Sequence, residues 1–177
     1  MVAMSCTLWS TAEHASPGER PSEYDVEAAY LFNFAKFIRW PSSPDRSTSS
    51  FAICVIGDDP FGTTLDKIVS GEKIAAKTVV DKRITHLDEI SGCSILYISS
   101  SEANHLGRIL IAAKDLPVLT VSDIPDFIER GGMIQFVLQD NRVRFAVNLE
   151  PAQHDGLTLS SDLLKVATNV KRAEGSH

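Results

Sequence analysis

The stretch Phe51-Ala52-Ile53-Cys54-Val55-Ile56-Gly57-Asp58-Asp59-Pro60-Phe61-Gly62 decides the class of fold. Its first six residues are apolar without alternation, the pattern of a strand buried on both faces, and Gly57 closes the run. Asp59 is placed to cap a helix that starts at Pro60 and turns Leu65, Ile68 and Val69 inward. A buried strand feeding a helix opens a βαβ unit. The alternation then continues. Thr78 to Ile84 reads as a second strand, at an edge because of Asp81, Lys82 and Arg83. Ser94 to Ser99 is a third strand, Glu102 to Lys114 a helix, and Pro117 to Val121 a fourth strand. Ser122 opens a short helix that Gly131-Gly132 ends. Met133 to Leu138 and Arg142 to Asn148 flank the polar turn Gln139-Asp140-Asn141 and read as an antiparallel hairpin. Ser160 caps a last helix over Asp162 to Val170.

Upstream, Ser22 with Asp25 three residues on has capping-box spacing. Val26, Ala29, Tyr30, Asn33, Phe34, Phe37 and Ile38 follow at helical period, and Trp40-Pro41 stops the helix. Most of this aromatic stripe is expected in the core, although Tyr30, Phe34 and Phe37 are also candidates for an exposed apolar docking patch. The sum is an α/β single-domain sandwich: a mixed, mostly parallel sheet with a C-terminal antiparallel hairpin and flanking helices. Residues 1–21 read as a flexible leader or the remnant of a truncated signal peptide, 22–171 as the domain, and 172–177 as a disordered tail.

Composition narrows the function classes. The 177 residues are 44% hydrophobic and 23% charged, as in globular proteins, with a net charge of −6. No apolar stretch reaches the ~18 residues of a membrane span. The acidic balance argues against nucleic acid or anionic lipid as a partner.

No catalytic constellation is legible. The Gly57 to Gly62 segment has P-loop glycine spacing, but Thr63 stands where lysine is required and Asp58 and Asp59 would repel phosphate. The histidines lack metal-ligand spacing, and Glu102 with His105 supplies only half of a di-iron motif. Neither a metal nor another cofactor is expected. At the strand end, Asp58 and Asp59 remain candidate ligand contacts. Arg142 and Arg144 share one face of a strand, suited to an anion or an acidic partner, with solvent exposure as the plainer reading. Asn148 is expected at the rim of that site, and His154 in a loop where it could touch a ligand. Cys54 lies in the first strand and Cys93 just before the third. Two buried thiols and a bridge are equally compatible with that spacing.

The block Glu27-Ala28-Ala29-Tyr30-Leu31-Phe32-Asn33-Phe34-Ala35-Lys36-Phe37-Ile38-Arg39-Trp40-Pro41 resembles the opening helix of the YfiR-like family of bacterial periplasmic regulatory proteins. Ile53 to Gly62, Leu119 to Asp123, Gly131 to Ile134 and Val143 to Leu149 resemble later blocks of that family in the same order, and so do Gly156-Leu157 and Leu163-Leu164. The resemblance implies a non-catalytic periplasmic protein, exported by a signal peptide and not inserted in the membrane, that forms homodimers. It implies as partner the periplasmic part of an inner-membrane diguanylate cyclase, repressed to limit cyclic-di-GMP output and biofilm formation. A small-molecule sensor without a cyclase partner is the alternative. Cys54 and Cys93 match one cysteine pair of the family and are expected to form a disulfide. A second, later pair has no counterpart, because no cysteine follows Cys93.

Overall fold

The computed structural model describes residues 22–41 and 50–172. The expected leader at 1–21 and tail at 173–177 lie outside these. Helix α1 (Glu23–Phe37) starts at the Ser22–Asp25 capping box and ends as the chain extends into β1 (Ile38–Arg39). Strand β2 (Ser50–Ile56), α2 (Thr63–Val69), β3 (Lys73–Ile74) and β4 (Lys77–Ile84) follow. Next come β5 (Ile95–Ile98), α3 (Leu106–Ala113), β6 (Leu119–Ser122) and the hairpin β7 (Ile134–Gln139) and β8 (Arg142–Asn148). The chain closes with α4 (Leu149–His154), β9 (Thr158–Leu159), α5 (Ser161–Val166) and β10 (Asn169–Lys171).

The main sheet runs β10-β8-β7-β6-β5-β2-β4-β3. Neighbours from β4 through β7 pair parallel, and β3 and β8 join antiparallel. Side-chain alternation sorts β2 between two cores: Phe51, Ile53 and Val55 face α1 and α2, whereas Ala52, Cys54 and Ile56 face α3. Strand β5 repeats the pattern, with Ile95 and Tyr97 on one face and Leu96 and Ile98 on the other. On the α3 face Cys54 and Cys93 are joined in a disulfide, Cα to Cα 5.8 Å, which pins the 3-10 turn Leu87–Gly92 to β2. In the β7–β8 hairpin, Gln139 pairs with Arg142, and Asp140 and Asn141 both take positive φ (51° and 56°). That is the primed turn a tight hairpin requires.

Local expectations change at several points. Helix α2 begins at Thr63 and not at Pro60: Asp59 accepts the Phe61 N–H (2.9 Å) as a cap would, but Gly62 takes a positive φ (52°) that no helix continues through. Strand β4 is the edge its charges imply beyond its first two residues: the short β3 pairs only with Lys77 and Thr78, and no strand among the described residues pairs with 79–84 on that side. The segment expected to be a helix after Ser122 is a series of turns folded over the buried Phe127. The last helix stops at Val166. Thr168 then donates its N–H and hydroxyl to the Phe145 carbonyl (2.9 and 3.0 Å), and the chain leaves as β10 alongside β8. The helix expected from Glu102 is α-helical only from Leu106, preceded by a 3-10 turn at Ser100–Glu102.

Gly132 is where these turns approach most closely, since a Cβ there would collide with the buried ring of Phe127. Gly132→Ala is therefore expected to lower stability by about 1–3 kcal/mol in denaturant unfolding. Gly107→Ala, in α3 facing open space, should be neutral or stabilise by up to about 1 kcal/mol. Equal effects of the two would count against the Phe127 contact.

Candidate functional site

In open parallel sheets a ligand crevice forms at the carboxyl ends of strands where the strand order reverses. Here that point lies between β2 and β5, because the chain leaves β2 for β4 on one side and returns to β5 on the other. Ser101 and Glu102 narrow this crevice, and beside them a recess of about 360 Å³ remains, lined by Gly57, Thr85, Glu102, His105 and Arg108. A Cβ on Gly57 would meet Ser101 Oγ at 2.5 Å and Glu102 Cγ at 2.8 Å, and the Asp58 N–H donates to Ser101 Oγ (2.9 Å). Asp58 is exposed beside these contacts. Asp59 is turned away, bound to the Arg83 guanidinium (2.8 Å), which also holds Asp66 (2.7 Å), Asp81 and the Gly62 carbonyl (2.9 Å). The Arg83 hydrogen bond holds the Asp66 carboxyl below its ordinary value. Asp59 is thus a strut between β4 and the β2–α2 loop.

A larger recess, with a volume of about 1030 Å³, is at the opposite, amino edge of the sheet. It forms where α1 ends at Phe37 and the chain runs on, ahead of Trp40-Pro41, as β1, which pairs antiparallel with β9 (Ile38 to Leu159, Arg39 to Thr158). Trp40 is the fixed point: its indole N–H donates to the Ser94 carbonyl (3.2 Å), and its ring meets Phe51 edge-on at 4.9 Å. Phe37, 44% exposed, stands at the mouth. Among the described residues the lining carries four basic side chains, Lys36, Arg39, Lys73 and Lys77, against one carboxylate, Asp162. On a chain of net charge −6 this is a local reversal of sign. Basic groups around an aromatic floor favour an acidic partner that also presents an apolar anchor. The sequence reading did not find this cleft, since its lining comes from five separated stretches of chain. The Trp40-Pro41 pair was its only local sign.

The other expected contacts do not converge on it. Arg142 and Arg144 do share the exposed face of β8, and with Glu23, Val26 and Tyr30 they line a separate recess of about 560 Å³. Asn148 is not at a rim. It is buried, donating to the Ile128 carbonyl (3.0 Å) and capping α4 through the Glu150 N–H (3.3 Å). His154 lies in the last turn of α4 and not in a loop, with Nε2 2.8 Å from Asp115 Oδ1. Asp115, His154 and Asp155 bring one ligand atom each within 4.8 Å of one another. The imidazole is accounted for by its Asp115 pair, and burial raises the Asp155 carboxyl above its ordinary value. Among the described residues no helix is long and apolar enough to cross a membrane.

Fold and clefts together define a mostly parallel α/β domain with a narrowed switch point and a basic, aromatic cleft at the opposite edge. The chain belongs to the YfiR/HmsC-like family, whose model matches residues 24–168. That family is one of periplasmic regulatory, non-catalytic proteins. Among solved structures, a conserved domain protein from Vibrio cholerae O1 biovar El Tor strain N16961 is similar in fold at 10% identity and a TM-score of 0.55, over 85% of this chain and 60% of that one. A Streptococcus pneumonia protein described as an ABC domain in complex with L-Trp is similar at 12% identity and a TM-score of 0.52, over 84% of this chain and 60% of that one. The chain thus spans 60% of the length of each.

Proposed function

We propose that this protein is a periplasmic repressor that acts by binding, as a homodimer, to the periplasmic part of an inner-membrane diguanylate cyclase and so limits cyclic-di-GMP output. The observation that carries this reading is the cleft at the end of α1. Its Lys36, Arg39, Lys73 and Lys77 surround Trp40, Phe37 and Phe51, a surface suited to an acidic segment with an aromatic or aliphatic anchor. Family membership supports a regulator over an enzyme, and Ser101 and Glu102 narrow the usual substrate crevice of such sheets.

The test is recovery of the cyclase from detergent-solubilised membranes by immobilised protein. Arg39→Glu combined with Lys73→Glu, two exposed side chains, is expected to weaken capture at least tenfold, about 1.4 kcal/mol, with the unfolding midpoint little changed. Capture by the wild type should also weaken with added salt. Arg144→Glu tests the other recess: loss of capture by that variant, with the cleft variant unaffected, would move the docking face to the β7–β8 hairpin. A small-molecule sensor is the second reading, favoured by the cleft's volume of about 1030 Å³, which could admit a metabolite. It predicts a raised unfolding midpoint with a small anionic or aromatic compound, and loss of that shift in the same cleft variant.

A further inference from the structure

Beneath α1 lies a group of acids with no role in either recess. Glu27 is fully buried on the inward face of α1, a position where a charged side chain is almost never left without a partner. One of its oxygens, Oε2, accepts the Tyr97 hydroxyl at 3.3 Å. The other, Oε1, is buried with no hydrogen-bond partner. Asp123, directly after β6, repeats the situation: Oδ2 accepts the Tyr24 hydroxyl at 3.5 Å, and Oδ1 is buried and unpartnered. Three elements thus meet here, with Tyr24 and Glu27 from α1, Tyr97 from β5 and Asp123 from the end of β6. The charged groups acting on Glu27 are Asp123 and Glu23, both acids. A carboxylate as buried as Glu27, half unsatisfied and with only other acids as charged neighbours, remains ionised only at large cost.

We propose that Glu27 is a neutral acid in the folded protein, and that its proton is the latch holding α1 on the sheet, so that proton loss loosens this helix. As an acid, Glu27 carries a hydroxyl able to donate, which ionised Glu27 lacks. Burial, then Asp123, then Glu23 push its carboxyl up to about 8, and the Tyr97 hydrogen bond opposes them only in part. Because the folded value is raised above the unfolded one, the stabilisation is complete below the ordinary carboxyl range. It is lost progressively as the pH rises from there through about 8. Helix α1 ends at the cleft mouth, so loosening it would reshape Phe37 and Arg39.

The test is amide hydrogen exchange of α1 from about pH 5.5 to 8.5, corrected for intrinsic rates, on the disulfide-bonded protein and on Glu27→Gln. For the wild type, protection should fall by up to about tenfold per pH unit below about 8, the slope of a single proton, and level off above it. Glu27→Gln should remove that slope. The same slope in both proteins, or none in the wild type, overturns the latch. If Glu27→Gln does not fold, carbon-13 titration of the glutamate carboxyls in the wild type decides. One carboxyl still protonated at pH 6.5 supports the proposal, and all carboxyls ionised by then overturn it.

Discussion

Unfolding free energy falls by about 4 kcal/mol when the Cys54–Cys93 bridge is removed, whether by reductant or in the Cys54→Ala/Cys93→Ala variant. The figure follows from the 39-residue separation of the two cysteines, through the chain entropy that such a cross-link takes from the unfolded state. The spanned segment holds α2, β3 and β4 together with the 3-10 turn Leu87–Gly92, so its closure restrains one whole flank of the sheet. Both cysteines are buried in the α3-side core, where alanine leaves small cavities that add to the loss. Denaturant unfolding with and without reductant measures it. A loss under 1 kcal/mol would mean that the bridge is not formed in solution. Thiol counting is a direct companion: Cys54 and Cys93 should be unreactive in the denatured, unreduced protein, and reduction should expose two further thiols. A loss of that size in a domain of ordinary stability ties the fold to an oxidising compartment. This agrees with a periplasmic family.

How far the sequence was readable depends on how local each determinant is. The start of α1 was legible because Ser22 and Asp25 satisfy each other's backbone N–H groups without outside help. Strand β2 and the β7–β8 hairpin were legible for the same reason, one from six apolar residues in a row and the other from its two-residue turn. Misreadings fell where a distant group decided the outcome. Asp59 has the credentials of a ligand contact, but Arg83, 24 residues on, claims its carboxylate. Asn169–Lys171 continues a helical pattern, yet the Phe145 carbonyl and the free edge of β8 turn it into a strand. Sites suffered more than elements. Asn148 looked like a rim contact because alternation placed it at a strand end, and only the Ile128 carbonyl reveals it as a buried cap. The cleft joins Arg39, Lys73 and Thr158, which no linear pattern connects. Glu27 reads as one more polar residue of an amphipathic helix; its burial follows from Tyr97 and Asp123 arriving from two strands.

Phe34→Ala is expected to cost about 3–5 kcal/mol, the range for removing a buried aromatic ring. Phe34 is 1% exposed, on the face of α1 that covers the β7–β8 hairpin. Its ring meets Phe145 edge-on at 5.1 Å and stacks with Tyr30 at 5.8 Å and Phe136 at 5.9 Å. Tyr30 in turn meets Phe145 at 5.6 Å and Phe136 at 6.0 Å, so all four rings touch both α1 and the hairpin. Such ring pairs add about 0.5–1.5 kcal/mol each beyond the area they bury. Removing Phe34 leaves the other three around a void that the close-packed sheet cannot collapse to fill. Phe37→Ala, one turn further along the same helix, supplies the contrast. That ring is 44% exposed at the cleft mouth, so its loss should cost under 1 kcal/mol of stability while weakening partner capture. Denaturant unfolding of both variants beside the membrane capture assay separates the two roles. If Phe34→Ala were as mild as Phe37→Ala, the aromatic stripe of α1 would not be the core of this fold. If capture by Phe37→Ala matched that of the wild type, the cleft mouth would not be where the proposed partner binds.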